Sequence, residues 1–424
     1  MKASELKQQL ADGALDARLH ALNGRDPAAE RARYILILDR FLATFGDRDC
    51  ALFSAPGRSE VGGNHTDHQN GKVLACAVNL DIIAVAAKND DGHIRVGSVG
   101  FNMIDIDAST LTPQENEKGD AAGIVRGVAA GVKALGRKVG GFDAITVSCV
   151  PAGSGLSSSA AFEVVLCKIL DTLYNDGTMT PIEAAKLSQN AEGAFFGKPC
   201  GLMDQTACAS GGFVKIDFAD TKNPVCENIS FDLNKAGCSL FVVNTGGSHA
   251  NLTGDYASIR AEMGTVAHYF GKDVLRECDE QGFFANLPAI RSKCGDRAVL
   301  RAIHFFAENK RVDAQAAALA AGDFDAFLSL VTESGNSSFM YLQNAYSVSD
   351  VSAQGVSLGV CLGKRALENT GAMRLHGGGF AGTVQAFVPN EKKEAFQKTM
   401  AAVFGAPAVM ELQVRADGPV CVAK

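Results

Sequence analysis

Apolar and polar positions divide this chain into alternating helical and strand-like stretches. The opening MKASELKQQLADGALDARLHALNG is polar and predicts a helix. A second helix is predicted near residues 27–46, with Asp26 as its N-cap and Pro27 in its first turn. APGRSEVGGNHTDHQNG, residues 55–71, is rich in glycine and charge and predicts loop for most of its length. The apolar runs VLACAVNL, IIAVAAK and DAITVSCV predict buried strands. PAGSGLSSSAAFEVVLCKIL then predicts a loop feeding an amphipathic helix, followed by a helix over residues 181–196 and the strand GGFVKIDF. After the polar stretch 220–236 comes the strand SLFVVNT, then mostly helix over residues 251–370. MRLHGGGFAG, the strand TVQAFVP, a helix near 391–404 and a strand near 408–414 complete the pattern. Helices and strands alternate in both halves, which implies an α+β or α/β class.

Length adds a division. A chain of 424 residues exceeds one ordinary core, and the weakly patterned 220–236 stretch divides it into 1–230 and 231–424. The formal net charge of −7 argues against nucleic acid or an anionic membrane as partner. The twelve cysteines form no C-x-x-C pair and several sit in apolar runs, as expected of reduced thiols. With no apolar signal core and no run of about 18 apolar residues, a cytoplasmic location is expected.

Four segments carry candidate chemistry. Pro151-Ala152-Gly153-Ser154-Gly155-Leu156-Ser157-Ser158-Ser159-Ala160-Ala161 joins a predicted strand to a predicted helix. Its glycines let successive N–H groups converge on an anion at a helix N-terminus. The plainer alternative is a loop with a serine cap. No G-x-x-x-x-G-K-[ST] occurs, which argues against a P-loop NTPase. Arg58, Glu60, Asn64, His65, Thr66, Asp67 and His68 form a dense polar set suited to a polyhydroxylated ligand. A metal site on His65, Asp67 and His68, or a solvated loop, are the alternatives. Glu192, near a helix end, and Asp204, flanked by apolar residues in CGLMDQ, are acids in costly surroundings unless paired or used. Finally His376-Gly377-Gly378-Gly379-Phe380-Ala381-Gly382-Thr383 marks a close backbone approach or a tight hairpin.

In order along the chain, these segments resemble the GHMP small-molecule kinase family on its galactose-phosphorylating branch. Pro56-Gly57-Arg58 with His65-Thr66-Asp67 resembles the family's sugar signature, Gly153 to Ala161 its phosphate loop, Cys200 to Gln205 its catalytic segment, and Leu375 to Thr383 its third motif. The resemblance implies a two-domain α+β fold. An N-terminal mixed-sheet domain like ribosomal S5 domain 2 would meet a ferredoxin-like C-terminal domain at the active site. It also implies ATP and Mg2+ as cofactors and galactose phosphorylation at the anomeric hydroxyl. L-arabinose, N-acetylgalactosamine or a uronic acid are alternative acceptors, and a non-catalytic galactose/ATP sensor is a further alternative. Asp204 and Arg58 would be catalytic. Asn64, His65, Asp67, Gly201 and Tyr256 would contact sugar. Gly153, Gly155, Leu156, Ser157, Ser158, Ser159 and Ala160 would hold ATP, with Ser158 and Glu192 on the metal. Small molecules are the expected partners of a monomer or homodimer. Asn64 departs from the pattern, since an acid usually stands there, and the chain has no tryptophan to stack on adenine.

Overall fold

A computed structural model describes every residue except Ala152, residues 248–251 and Asn369. Ala152 of the predicted phosphate loop and Asn251, ahead of Tyr256, therefore lie outside the described residues. The described strands are β1 (Ala51–Gly62), β2 (Lys72–Lys88), β3 (His93–Ser98), β4 (Ile104–Asp107), β5 (Phe142–Ser148), β6 (Phe213–Asp217), β7 (Val225–Ile229), β8 (Cys238–Asn244), β9 (Ala372–His376), β10 (Thr383–Pro389), β11 (Val409–Leu412) and β12 (Val420–Ala423).

The 17-residue β2 organises the larger sheet. One edge pairs antiparallel with β1 from Ala51↔Ala86 to Gly62↔Leu74. The other edge is shared, with residues 82–88 on β5 and 72–76 on β6. The order is β12-β1-β2-β5-β3-β4, with β6 and β7 branching from β2, and β3 runs parallel to β5. Successive side chains of β2 serve opposite faces. Ile83, Val85 and Ala87 pack with Leu52 and Ile145 against Leu6, Leu10, Tyr34, Ile37 and Phe41 of the N-terminal segment. Ile82, Ala84 and Ala86 face a second core with Val164 and Leu166 of the helix Ser158–Tyr174.

The second sheet is antiparallel, β11-β8-β10-β9. Phe241, Val243 and Val384 meet Phe396 and Val356 on one face. Leu240, Val242, Ala372 and Phe387 on the other join the core of the larger sheet.

The structure corrects the sequence reading in four places. The N-terminal segment forms three helices rather than two, Ala3–Ala11, Asp16–Asn23 and Pro27–Phe45, broken where Gly13 takes φ +74°. Asp26 caps the third as expected, accepting from the N–H groups of Ala28 and Ala29. Residues 55–62 are strand rather than loop, because β2 completes their ladder and buried partners satisfy their polar side chains. β7 lies within the 220–236 stretch. It is exposed at all but Ile229, so no apolar alternation marks it. Past the last predicted strand, β12 returns to pair with β1, Leu52 opposite Ala423.

Candidate active site

Strand β1 delivers Arg58 to the phosphate loop. Its register against β2 shifts between Pro56 and Arg58, where proline lacks a ladder donor. Gly57 lies so close to the loop that a Cβ there would stand 2.7 Å from the Leu156 carbonyl, and the Arg58 N–H donates to that same carbonyl at 3.1 Å. Beyond β5 the loop turns through Gly153 and Gly155, both at φ +71°, and Ser157 at φ +57°, and enters the helix Ser158–Tyr174. These left-handed residues turn the chain into the first turn of that helix, whose leading N–H groups have no intrahelical partner. Leu156 and Ala160 are buried, whereas Gly153, Gly155 and Ser159 are exposed and Ser157 and Ser158 partly so.

Asp204 stands in the first turn of the helix Met203–Ser210. Arg58 Nε donates to its Oδ1 at 2.8 Å and Arg58 Nη2 lies 2.6 Å from its Oδ2. Ser157 Oγ donates to the same Oδ2, and Arg58 Nη1 donates to the Gly155 carbonyl. Burial alone pushes the Asp204 carboxyl up. The Arg58 charge, helped by the Ser157 hydroxyl, outweighs burial and holds it below the usual range. Arg58 is correspondingly raised, Asp204 overcoming the burial that would lower it. The guanidinium side chain is 8 % exposed and the carboxylate 34 %, so the acid is the member of the pair open to a ligand.

Glu192 lies in the π-turn Ala191–Phe196. Its carboxylate meets Lys198 Nζ at 3.0 Å and accepts from Gln205 Nε2 at 2.9 Å. Gln205 Nε2 also donates to Glu163 Oε2 at 3.1 Å, leaving the buried Glu163 Oε1 unpartnered. Burial, then the charge of Glu192, pushes the Glu163 carboxyl up to about 8. The Glu192 carboxylate and the unpartnered Glu163 Oε1 are hard oxygen donors of the kind a magnesium ion takes, few of them beside nucleotide phosphates. Among the described residues no group of three or more His, Cys, Asp and Glu side chains is placed to hold a metal ion, so the trio of His65, Asp67 and His68 gains no support.

The predicted sugar contacts fall into two groups. Asp67 and Gly201 come together, since a Cβ on Gly201 would stand 2.8 Å from Asp67 Oδ2. They line a cavity of about 270 Å³ with His68, Cys200 and Arg260. His65 and Tyr256 have ring centroids 6.4 Å apart and both reach the late glycine loop. His65 Nε2 bonds the Gly378 carbonyl at 2.9 Å, and Tyr256 OH donates to the Gly379 carbonyl at 3.0 Å. Burial, then the neighbouring His68, lowers His65 to about 4, so its ring is neutral near pH 7. Asn64 is 1 % exposed and its amide is bonded within the protein.

The glycine loop closes the site from the second sheet. His376 Nε2 bonds Ser59 Oγ at 3.0 Å and its Nδ1 bonds Thr383 Oγ1 at 2.9 Å. A Cβ on Gly155 would stand 3.3 Å from His376 Nδ1, so the third motif touches the phosphate loop. Sequence reasoning missed Glu163, His376 as a bridge to Ser59, and Asn344. Glu163 had a signal, a lone acid in the apolar run AAFEVVLC. Asn344 had none.

Comparison with known proteins shows the family and the fold. Residues 123–212 match the GHMP kinases N terminal domain, and residues 39–88 match the galactokinase galactose-binding signature. The galactokinase of Streptomyces coelicolor is 32 % identical over 374 residues, covering 87 % of this chain and 92 % of that protein. The galactokinase of Glaesserella parasuis serovar 5 is 32 % identical over 370 residues, covering 85 % and 91 %. Among solved structures, Lactococcus lactis galactokinase complexed with galactose superposes with a TM-score of 0.75 at 23 % identity, covering 90 % of this chain and 98 % of that one. A mevalonate kinase shares the fold with a TM-score of 0.60 at 15 % identity, covering 86 % and 99 %. This chain, with its mixed α+β architecture, belongs to the galactokinase family of GHMP kinases.

Proposed function

We propose that this protein phosphorylates galactose at its anomeric hydroxyl with ATP as donor. The observation that carries the reading is the Arg58–Asp204 pair tied to the phosphate loop through Ser157 and Gly155. Asp204, held ionised, accepts the proton of the attacking hydroxyl. The sugar oxygen bonds to the γ-phosphorus, the bond from that phosphorus to the β,γ-bridging oxygen breaks, and ADP leaves. Arg58 stabilises the Asp204 anion and offsets charge on the phosphoryl group, where positioning and neutralisation supply most of the catalysis. The loop from Gly153 to Ala160 directs its amides at the nucleotide phosphates, and His65, Asp67, Gly201 and Tyr256 orient the sugar. Ser158 and Glu192 would hold a magnesium ion, which when bound neutralises the phosphate oxygens.

We take the chain as two halves, 1–230 and 231–424, meeting at this cleft, in a cytoplasmic enzyme whose partners are small molecules. No helix among the described residues is long and apolar enough to cross a membrane.

ADP release by the purified protein with ATP and Mg2+ tests the reading across a sugar panel, with the highest kcat/KM expected for galactose. Turnover of no aldose ends it. Because Asn64 stands where an acid is usual, L-arabinose, N-acetylgalactosamine and a uronic acid belong in the panel. A higher kcat/KM for one of them reassigns the substrate.

A further inference from the structure

The two sheets meet through a second polar centre, on Asn64. Its Nδ2 donates to Glu60 Oε1 at 3.0 Å and to the Gly377 carbonyl at 2.7 Å. Its Oδ1 accepts from Asn344 Nδ2 at 2.8 Å and from Ser338 Oγ at 3.3 Å. Asn344 Nδ2 also donates to the Gly378 carbonyl at 3.0 Å, the acceptor His65 uses. Glu60 Oε1 in turn accepts from Arg374 Nη2 at 2.7 Å, and Arg374 is fully buried on β9 just ahead of the glycine loop. Three remote segments thus converge on one amide. Within this hydrogen-bonded chain the carboxylate is Glu60 and the guanidinium Arg374, and the side chains bridging Glu60 to the glycine loop, Asn64 and Asn344, are neutral. His304 Nε2 bonds the Asn64 backbone carbonyl at 2.9 Å, and Arg58 and Glu308 act electrostatically on Glu60 and Arg374 respectively.

We propose that Asn64 is a positioning residue: its uncharged amide, in partnership with Glu60 and Asn344, sets the glycine loop against His65 and Tyr256 and so shapes the sugar site without contacting sugar. A carboxylate at this position would sit against that of Glu60 and would offer no donor to the Gly377 carbonyl. Buried like charges and an orphaned buried acceptor are both costly. The inference rests on the sugar-kinase reading above, but its charge logic is readable without turnover.

The test compares wild type with N64D, E60Q and the double variant N64D/E60Q, by thermal melting and by KM for galactose and ATP. The double variant restores one carboxylate, one amide and one guanidinium. N64D is expected to raise the galactose KM about tenfold or more while the ATP KM stays within about threefold, and to lower Tm by about 5 °C or more. E60Q is expected to lower Tm likewise, because Arg374 loses the carboxylate it donates to, with only the more distant Glu308 left to offset its charge. The double variant is expected to recover most of the Tm loss but only part of the galactose KM, because the carboxylate that N64D introduces still offers the Gly377 carbonyl no donor. N64D with wild-type KM and Tm overturns the proposal, and so does a double variant no better than the worse single one. If N64D does not fold, N344A removes donors to Asn64 and Gly378 at constant charge and is expected to show the same selective rise in galactose KM. An unchanged galactose KM there also overturns the proposal. Wild type that turns over no sugar ends the functional reading alone, since the Tm coupling between positions 60 and 64 still decides the charge logic.

Discussion

Arg58 and Asp204, 146 positions apart, form a two-point guanidinium–carboxylate contact at the mouth of the phosphate loop, Nε to Oδ1 at 2.8 Å and Nη2 to Oδ2 at 2.6 Å. The contact spans β1 and the helix Met203–Ser210, so it forms only when both pack against the larger sheet. It keeps the acid charged where burial favours the neutral form.

Asp204→Asn removes the proton acceptor and is expected to cut kcat by about 10²–10⁴. Arg58→Ala removes the largest influence opposing burial at Asp204, leaving the Ser157 hydroxyl and Lys198, so the carboxyl rises and ionises at higher pH. The acid limb of kcat/KM in that variant is expected to move to higher pH, with kcat reduced by at least about tenfold. Steady-state rates between pH 5 and 9 check both. A wild-type acid limb in Arg58→Ala sinks the electrostatic role.

Gly57→Ala tests the contact between β1 and the loop. The added methyl must displace the Leu156 carbonyl, 2.7 Å from the ideal Cβ position, or the Val150 side chain, 3.3 Å away. Leu156 anchors the loop, so the expected result is an ATP KM raised by about tenfold, with a Tm drop of a few degrees at most. An unchanged ATP KM refutes the coupling.

Asp81 anchors the N-terminal helices to the sheet. Fully buried, it accepts from Arg33 Nη2 at 2.8 Å, Asn23 Nδ2 at 3.1 Å and Ser54 Oγ at 2.6 Å, with Arg415 Nη1 3.6 Å away. Burial raises its carboxyl, but the three arginines Arg33, Arg415 and Arg25 hold it well below the usual range. Asp81→Asn leaves those arginines uncompensated and is expected to cost about 3–5 kcal/mol in urea unfolding. A loss below about 1 kcal/mol contradicts this account.

Three buried histidines lower the stability of the fold as pH falls. Burial is the largest cause lowering each of His65, to about 4, His304, and His376, the last depressed far below its ordinary value with Arg58 and Arg374 adding to the effect. Below about pH 6.5 the unfolded chain protonates these rings while the folded protein does not. Each therefore removes about 1.4 kcal/mol of stability per pH unit as pH falls toward its folded value. Denaturant midpoints are expected to drop steadily from pH 6.5 to about 4, with a shallower slope in His376→Asn. A flat profile over that window counts against buried neutral rings.

The local elements were legible in the sequence because their signals are short-range. Asp26 and Pro27 mark a helix start, and the Gly153–Ala161 segment, with its strand before and helix after, states its own geometry. Asp204 stood out as an acid among apolar neighbours. The glycine and charge of residues 55–62 imitated a loop, because the partners satisfying that strand lie on β2 and, for Glu60, at Arg374, 314 positions away. At Asn64 the sequence shows an amide's donors and acceptors but not which of them the fold consumes. Composition and periodicity determined which elements form and which chemistry the chain carries. Only tertiary packing decided which polar groups meet, since burying a charge or an amide is tolerable only beside a partner brought from elsewhere in the chain.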